Sequence, residues 1–332
     1  MIDYQKSKVY GVDPNFWLNH KDLNFKREIN TRTGELSTRE EAIYQGLRFI
    51  IFYRLDRPDA ISSMWIHGSL HKYCNFLNNV IAPNQWNDDL KAKGYNGNSF
   101  SLNDFLNVLD DLEKRFNVRF DNSTLHHLEY GLNVKHDLST KLLLAGCIMH
   151  KGTLFNPERS NYKYLQRVKK TQFEIKAYNK QLQYGELYKV LRFEKKVNKM
   201  EHIKQFEISS LDDLRLKCKW DLLYKDLQKC WEDILFIDLM MDLEDLNSED
   251  QTAFKDFSNL TYWGNLSANR RDAPKKRYKS LETKCKGNTK DAFKRCLQLA
   301  YEELTKVNID SSNMELNLTQ YRILFIHYGM VG

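Results

Sequence analysis

Gln172-Phe173-Glu174-Ile175-Lys176-Ala177-Tyr178 alternates between two kinds of side chain without a break. Successive side chains of a strand point to opposite faces. Phe173, Ile175 and Ala177 therefore belong to one face, and Gln172, Glu174, Lys176 and Tyr178 to the other. The same period returns in residues 189–197, where Leu191, Phe193, Lys195 and Val197 share a face and Val190, Arg192, Glu194 and Lys196 share its reverse. It is already present in residues 124–134, with Leu128, Tyr130, Leu132 and Val134 against His127, Glu129, Gly131 and Asn133. Three strands with polar sets in phase predict an antiparallel sheet buried on one side and more open on the other.

Working outward, residues 46–53 and 62–70 read as two further strands joined by a turn at Asp56-Arg57-Pro58-Asp59. Residues 83–99 are rich in Asn and Gly and read as a loop. Residues 101–116 form the clearest helix: Leu102, Phe105, Leu106, Leu109, Leu112 and Phe116 make one stripe, and Ser101 with Asp104 resembles a capping box. Asp137 is placed to cap a helix running to about Met149, and residues 1–38 read as polar and irregular, broken by Pro14 and Gly34. From Ser209 the period changes to helical, through Leu211, Leu214, Leu222, Leu223, Leu227, Trp231, Leu235 and Leu239 and again in 254–264 and 291–307. The expected fold is therefore α+β, an antiparallel sheet with helices on one face followed by a helical C-terminal region. The change of period divides the chain into a domain of residues 1–205 and one of residues 206–332.

The chain has 332 residues, 42% of them hydrophobic and 13% aromatic, enough apolar material for sizeable cores and too much for a disordered chain. No run reaches the length of a membrane span, and residues 1–10 lack the apolar core of a secretion signal, so a cytoplasmic protein is expected. None of the six cysteines forms a Cys-x-x-Cys pair, which argues for reduced thiols and against a zinc site.

The net charge of +7 is unevenly spread. Residues 161–199 hold 11 Lys and Arg against three acids, and residues 261–295 again hold 11 against three. Between them, residues 232–250 hold eight acids and no base. The basic blocks also carry Tyr162, Tyr164, Tyr178, Tyr262, Trp263 and Tyr278, a combination suited to a polyanion with rings to stack on. In the second block Arg270, Arg271, Lys275, Lys276 and Arg277 are the candidate DNA contacts, against the alternative of a solvated helix face.

The polar faces of the three strands, taken together, offer chemistry. Glu129 and Glu194 are two carboxylates that repel unless a cation lies between them, and hard oxygen ligands of that kind suit Mg²⁺ or Mn²⁺, with His127 as a further donor. Tyr178 beside Lys176 and Lys180 is a phenol whose ionisation is eased, and phenolate is a competent nucleophile. Each residue alone has a plainer role as ion-pair partner or half-buried strand residue; their convergence would make a nuclease that attacks DNA with tyrosine.

The order of short motifs, Ile66-His67-Gly68-Ser69-Leu70-His71-Lys72, then Leu128-Glu129-Tyr130-Gly131-Leu132, then Ile175-Lys176-Ala177-Tyr178-Asn179-Lys180, then Leu191-Arg192-Phe193-Glu194-Lys195, resembles the rolling-circle replication initiators of filamentous phages and related phages and plasmids. The resemblance covers about residues 45–205. It implies a rolling-circle nuclease sheet open on one face, and an enzyme that nicks one origin strand, keeps a phosphotyrosyl bond to its 5′ end and later rejoins it. The family's Tyr-x-Lys strand matches Tyr178 and Lys180, its Arg-x-Glu strand matches Arg192 and Glu194, and its first acidic strand matches Glu129 with His127. There Glu stands for Asp and His for Arg, which leaves the role of His127 open. Ser69 and Lys72 match a strand expected near the DNA backbone, and Lys176 and Arg192 are further expected DNA contacts. The expected reading is a metal-dependent initiator acting on single-stranded or hairpin origin DNA, with a host helicase as a further partner. The rivals are a non-catalytic origin-binding protein and a relaxase or transposase of similar chemistry.

Overall fold

The computed structural model describes residues 1–29, 31–157 and 164–306. Its strands, in chain order, are β1 (Ile2–Val9), β2 (Lys26–Ile29), β3 (Leu36–Tyr44), β4 (Leu47–Tyr53), β5 (Ile61–Ser69), β6 (Ser123–Lys135), β7 (Cys147–His150), β8 (Thr153–Leu154), β9 (Asn156–Pro157), β10 (Leu165–Lys169), β11 (Phe173–Asn179), β12 (Val190–Val197) and β13 (Ile234–Phe236). Its α-helices are α1 (Pro14–Leu18), α2 (Leu70–Leu77), α3 (Asp88–Lys91), α4 (Leu102–Phe116), α5 (Thr140–Gly146), α6 (Lys180–Tyr184), α7 (Lys217–Glu232), α8 (Ser248–Phe257), α9 (Leu260–Asn265), α10 (Asp272–Lys284) and α11 (Thr289–Thr305). Among the described residues, ten strands make one sheet in the order β2-β3-β4-β5-β1-β6-β12-β11-β10-β9. Every pairing in it is antiparallel. β13, β7 and β8 form a small second sheet.

The alternation in the sequence is realised directly. Leu128, Tyr130, Leu132 and Val134 of β6, Leu191 and Phe193 of β12 and Ile175 and Ala177 of β11 are buried in one continuous core. Helix α4 lays Phe105, Leu109, Leu112 and Phe116 into that core, and α7 adds Trp220, Leu223, Leu227 and Trp231. Ring contacts mark the seams: Phe193 meets Trp231 at 5.4 Å between centroids and Phe105 meets Trp220 at 5.6 Å. Each of these large apolar side chains contributes roughly 1.5–3 kcal/mol on burial. Helix α4 begins with the expected capping box, in which Ser101 and Asp104 satisfy each other's backbone N–H groups. Core residues from α7 and α11 belong to the same cluster as the sheet, while Ile148, Ile237, Phe254, Phe257, Trp263, Tyr278 and Leu281 build a smaller core beside it.

Three stretches differ from the sequence reading. The helical pattern expected through Leu235 and Leu239 stops at Glu232, and Leu235 lies in β13. Residues 1–38 are not irregular: β1 lies in the middle of the sheet, between β5 and β6. Its pattern is hidden because the buried positions include Gln5 and Ser7, the Ser7 hydroxyl donating to Gln5 Oε1 at 2.7 Å. The helix expected from Asp137 to about Met149 is shorter. Ser139 caps it, and Cys147–His150 leaves it as β7, pairing with β13. Tyr162 and the part of the C-terminal region beyond residue 306 lie outside the described residues.

Candidate functional site

Register sets the site. In β11 and β12, Lys176 stands opposite Glu194 and Tyr178 opposite Arg192. In β12 and β6, Lys196 stands opposite Glu129, Glu194 opposite Gly131 and Arg192 opposite Asn133. Directly opposed residues share a face, so the expected set converges on the side of the sheet away from α4 and α7.

Lys176 bridges the two carboxylates, its Nζ lying 3.2 Å from Glu129 Oε2 and 2.8 Å from Glu194 Oε1. Those two oxygens are therefore no farther apart than the two contacts laid end to end. His127 Nε2 lies 3.2 Å from Glu129 Oε1, and Lys196 Nζ approaches the same oxygen at 3.3 Å. On Glu194, the Arg192 Nε–H donates to Oε2 at 2.5 Å and the Tyr178 hydroxyl donates to the same oxygen at 3.2 Å. Burial pushes the Glu129 carboxyl up, but the His127 contact and the Lys176 and Lys196 charges outweigh it and hold its pKa at about 2. Tyr178 goes the other way: burial and the Glu194 charge raise its phenol well above the ordinary range, so it is protonated at neutral pH.

The face is less open than the alternation implied. Glu194 and Arg192 are each 2% exposed and Lys180 is 1% exposed. Helix α6 begins directly after β11 and folds Lys180 and Tyr184 back over that end of the site. There the Lys180 ammonium and the Tyr184 hydroxyl both donate to Asn96 Oδ1, each at 2.6 Å. Lys180 Nζ also lies over two rings, 5.0 Å from the Tyr178 centroid and 4.8 Å from that of Tyr184. Burial and the neighbouring Arg192 charge depress Lys180 to a pKa of about 7, against partial support from Asp3 and Glu194.

Asp3, Asn96, Asn133 and Tyr184 complete the cluster; the sequence reading missed Asp3 and Asn96. One extra residue in β1, between Ile2 and Gln5 opposite Leu128–Tyr130, makes a bulge, and Asp3 beside it reaches Arg192 at 3.3 Å. Asn96 donates to Asp3 at 2.8 Å and Asn133 accepts from Arg192 at 3.0 Å. Burial raises the Asp3 carboxyl, but the Arg192 and Lys180 charges and the Ser69 hydroxyl hold it well below the usual carboxylate range. The alternation of Tyr4, Lys6 and Lys8 puts Asp3 in phase with Gln5 and Ser7, so spacing carried no signal for it, and only the bulge turns it toward Arg192.

The other expected contacts are distributed differently. Ser69 is buried; its hydroxyl donates to Asp3 and caps α2 by accepting from the Lys72 N–H at 3.1 Å. The Lys72 ammonium donates to the Lys93 carbonyl at 2.6 Å. Arg192 faces Glu194 and Asp3 rather than solvent, because it neutralises both carboxylates. In the C-terminal block, Arg271 is structural, donating to the carbonyls of Trp263, Leu266 and Gly152 at 3.1, 3.0 and 2.8 Å. Arg277 pairs with Glu249 and Asp250, and Lys275 with Asp272. Arg270 and Lys276 are exposed.

The donor set for a divalent ion can be tested on this geometry. Among the described residues, no three His, Cys, Asp or Glu side chains gather as one ion's ligands. Glu129 and Glu194 have the right hard oxygens, but the ammonium of Lys176 occupies the position between them. In this arrangement the residues do not fit a metal unless that side chain withdraws.

No protein-family model and no curated protein matches the chain. A solved structure it resembles is the rolling circle replication initiator protein from Geobacillus stearothermophilus, at 10% identity and a TM-score of 0.34, covering 80% of this chain and 94% of that one. Among the described residues no helix is long and apolar enough to cross a membrane.

Proposed function

We propose that this chain is a DNA strand transferase of the rolling-circle type, with Tyr178 as its nucleophile. The observation that carries the reading is the hydrogen bond from the Tyr178 hydroxyl to Glu194, at the end of a rigid strand and beside three cations, Lys176, Lys180 and Arg192. A nucleophile needs a fixed position, a proton acceptor within reach and positive charge near the phosphate it attacks.

In this reading the Tyr178 oxygen forms a bond to phosphorus and the bond from phosphorus to the 3′ oxygen breaks. Glu194 takes the phenol proton, and the departing 3′ oxygen takes up a proton. Lys180 in its ammonium form offsets the charge on the phosphorane. The 5′ end stays on Tyr178 as a phosphodiester, so rejoining needs no external energy source. Arg192 holds Glu194 in position and Asp3 holds Arg192. The proposed partner is single-stranded or hairpin origin DNA. Mg²⁺ or Mn²⁺ at Glu129 and Glu194, with His127, would require Lys176 to move aside, and no step above passes through it.

The test is incubation of the full chain with a labelled origin strand and Mn²⁺, followed by denaturing electrophoresis. The expected result is a covalent adduct that survives detergent and is absent from Tyr178→Phe. Tight binding without an adduct in the wild type supports the non-catalytic origin-binding reading instead.

A further inference from the structure

The polar face continues well past the catalytic cluster, across strands to which no role has been given. Five residues stand directly opposite one another in a row over five strands: Ile43, Arg48, His67, Lys6 and His127. A second row runs alongside it as Glu41, Ile50, Trp65, Lys8 and Thr124. Four inter-strand spacings of about 4.8 Å make this a track of roughly 19 Å. It ends at His127, which touches Glu129 at 3.2 Å.

The track is made of cations and rings. Lys6, Lys8 and Arg48 lie along it, with Glu41 the one acid in the two rows. Trp65 is a ring junction, 4.6 Å from His126, 5.6 Å from His67 and 6.5 Å from Phe52 between centroids. Tyr10 and Tyr4 flank Lys6 and Lys8 along the chain, Tyr10 under Lys8 and Tyr4 meeting His127 edge-on at 5.6 Å. Arg48, His126 and Tyr10 are exposed and Lys6, Lys8, Trp65 and His67 are half-exposed, while Ile50 in the second row and His127 at the end of the first are buried. Burial, aided by the charge of Lys6, lowers His67 to about 4, so its ring is neutral at physiological pH.

We infer that this face of β1, β4 and β5 binds single-stranded DNA, its phosphates on Lys6, Lys8 and Arg48 and its bases on Trp65 and His126, and leads the strand to Tyr178. A flat row of alternating cations and rings suits an unpaired strand, whose bases are free to stack; a duplex presents phosphates without open rings. The inference rests on the nuclease reading only for the direction of the strand.

The test uses the full chain and a fluorescently labelled 20-nucleotide strand. Trp65→Ala should weaken binding by about 5- to 150-fold, the equivalent of ~1–3 kcal/mol for the stacking of one base on one ring. Arg48→Gln with Lys8→Gln should lower the log–log salt slope by about 0.7 for each phosphate that is no longer neutralised. Both should still form adduct on a saturating short strand that spans only the cut site. Wild-type affinity and salt slope in both variants overturn the track, even if the adduct forms. Loss of binding in the variants with no adduct in the wild type keeps the track and removes the nuclease. A slope that falls while Trp65→Ala binds normally means that the face takes an anionic protein or duplex, and the single-strand proposal fails. Arg48→Gln alone changes one exposed side chain and keeps the test valid should Trp65→Ala misfold.

Discussion

Gly131 stands directly opposite Glu194 in the paired strands β6 and β12, and a Cβ at that position would lie 2.4 Å from the Glu194 Cβ. The absence of a side chain there makes room for the carboxylate that meets Tyr178, Arg192 and Lys176. Gly131→Ala should push Glu194 out of line, cost about 1–3 kcal/mol as an overpacked site and sharply reduce adduct formation. Thermal unfolding and adduct yield measured together check this. An unchanged adduct yield would show that Glu194 need not sit where it does.

Tyr178→Phe removes one oxygen and one hydrogen bond. It should abolish the adduct while binding of a labelled origin strand stays within about twofold, since the bond lost runs from Tyr178 to Glu194 within the protein and not to the strand. Tyr184→Phe is the informative control, because Tyr184 shares Lys180 and Asn96 with the site. It should keep the adduct. The reverse outcome moves the nucleophile to Tyr184.

Lys180 should give the site a pH dependence. Its folded pKa of about 7 lies below the ordinary lysine value of 10.5. In the window between them the unfolded chain binds more protons, so the cost of burying the ammonium is full below pH 7 and fades as pH rises toward 10.5. Stability should therefore rise with pH across that window, and Lys180→Met should flatten the rise. Catalysis should run the other way. If the ammonium offsets phosphorane charge, nicking falls as pH passes upward through about 7. Lys180→Arg, which stays charged, should remove that fall. A nicking rate that instead climbs through the same pH would make Lys180 a base.

A divalent ion held by Glu129 and Glu194 would have to displace Lys176 from between them. Lys176→Met should tighten Mn²⁺ binding by about tenfold, equivalent to ~1.4 kcal/mol, measured by Mn²⁺ electron paramagnetic resonance on the free protein. Glu129→Gln in the same background should reverse the gain. Affinity that does not depend on Lys176 or Glu129 excludes this pair as the ion's ligands.

The C-terminal basic block should divide by residue. Arg270→Gln with Lys276→Gln should lower the salt slope of duplex binding by about 0.9 for each phosphate left without its cation. Arg271→Gln should act on stability instead, by about 1–3 kcal/mol, because it leaves the carbonyls of Trp263, Leu266 and Gly152 without their donor. Chemical denaturation and a salt titration of binding separate the two.

Period-two alternation in residues 124–134, 172–178 and 189–197 was enough to predict three strands and which side chains of each face the core. That is local information: a strand of fixed pleat turns a sequence pattern into a direction. Where the buried face carries polar residues, as at Gln5 and Ser7, the same rule is silent, and the central strand β1 reads as irregular. Only the tertiary structure decided what the outward side chains meet. The pairing of β11 with β12 set Lys176 between Glu129 and Glu194. A bulge in β1 brought Asp3 across more than 180 residues of chain to Arg192. Burial at the start of α6 lowered Lys180 toward neutrality. Spacing along the chain carries no distance between remote strands and no dielectric, and both are set only when the sheet closes and water leaves.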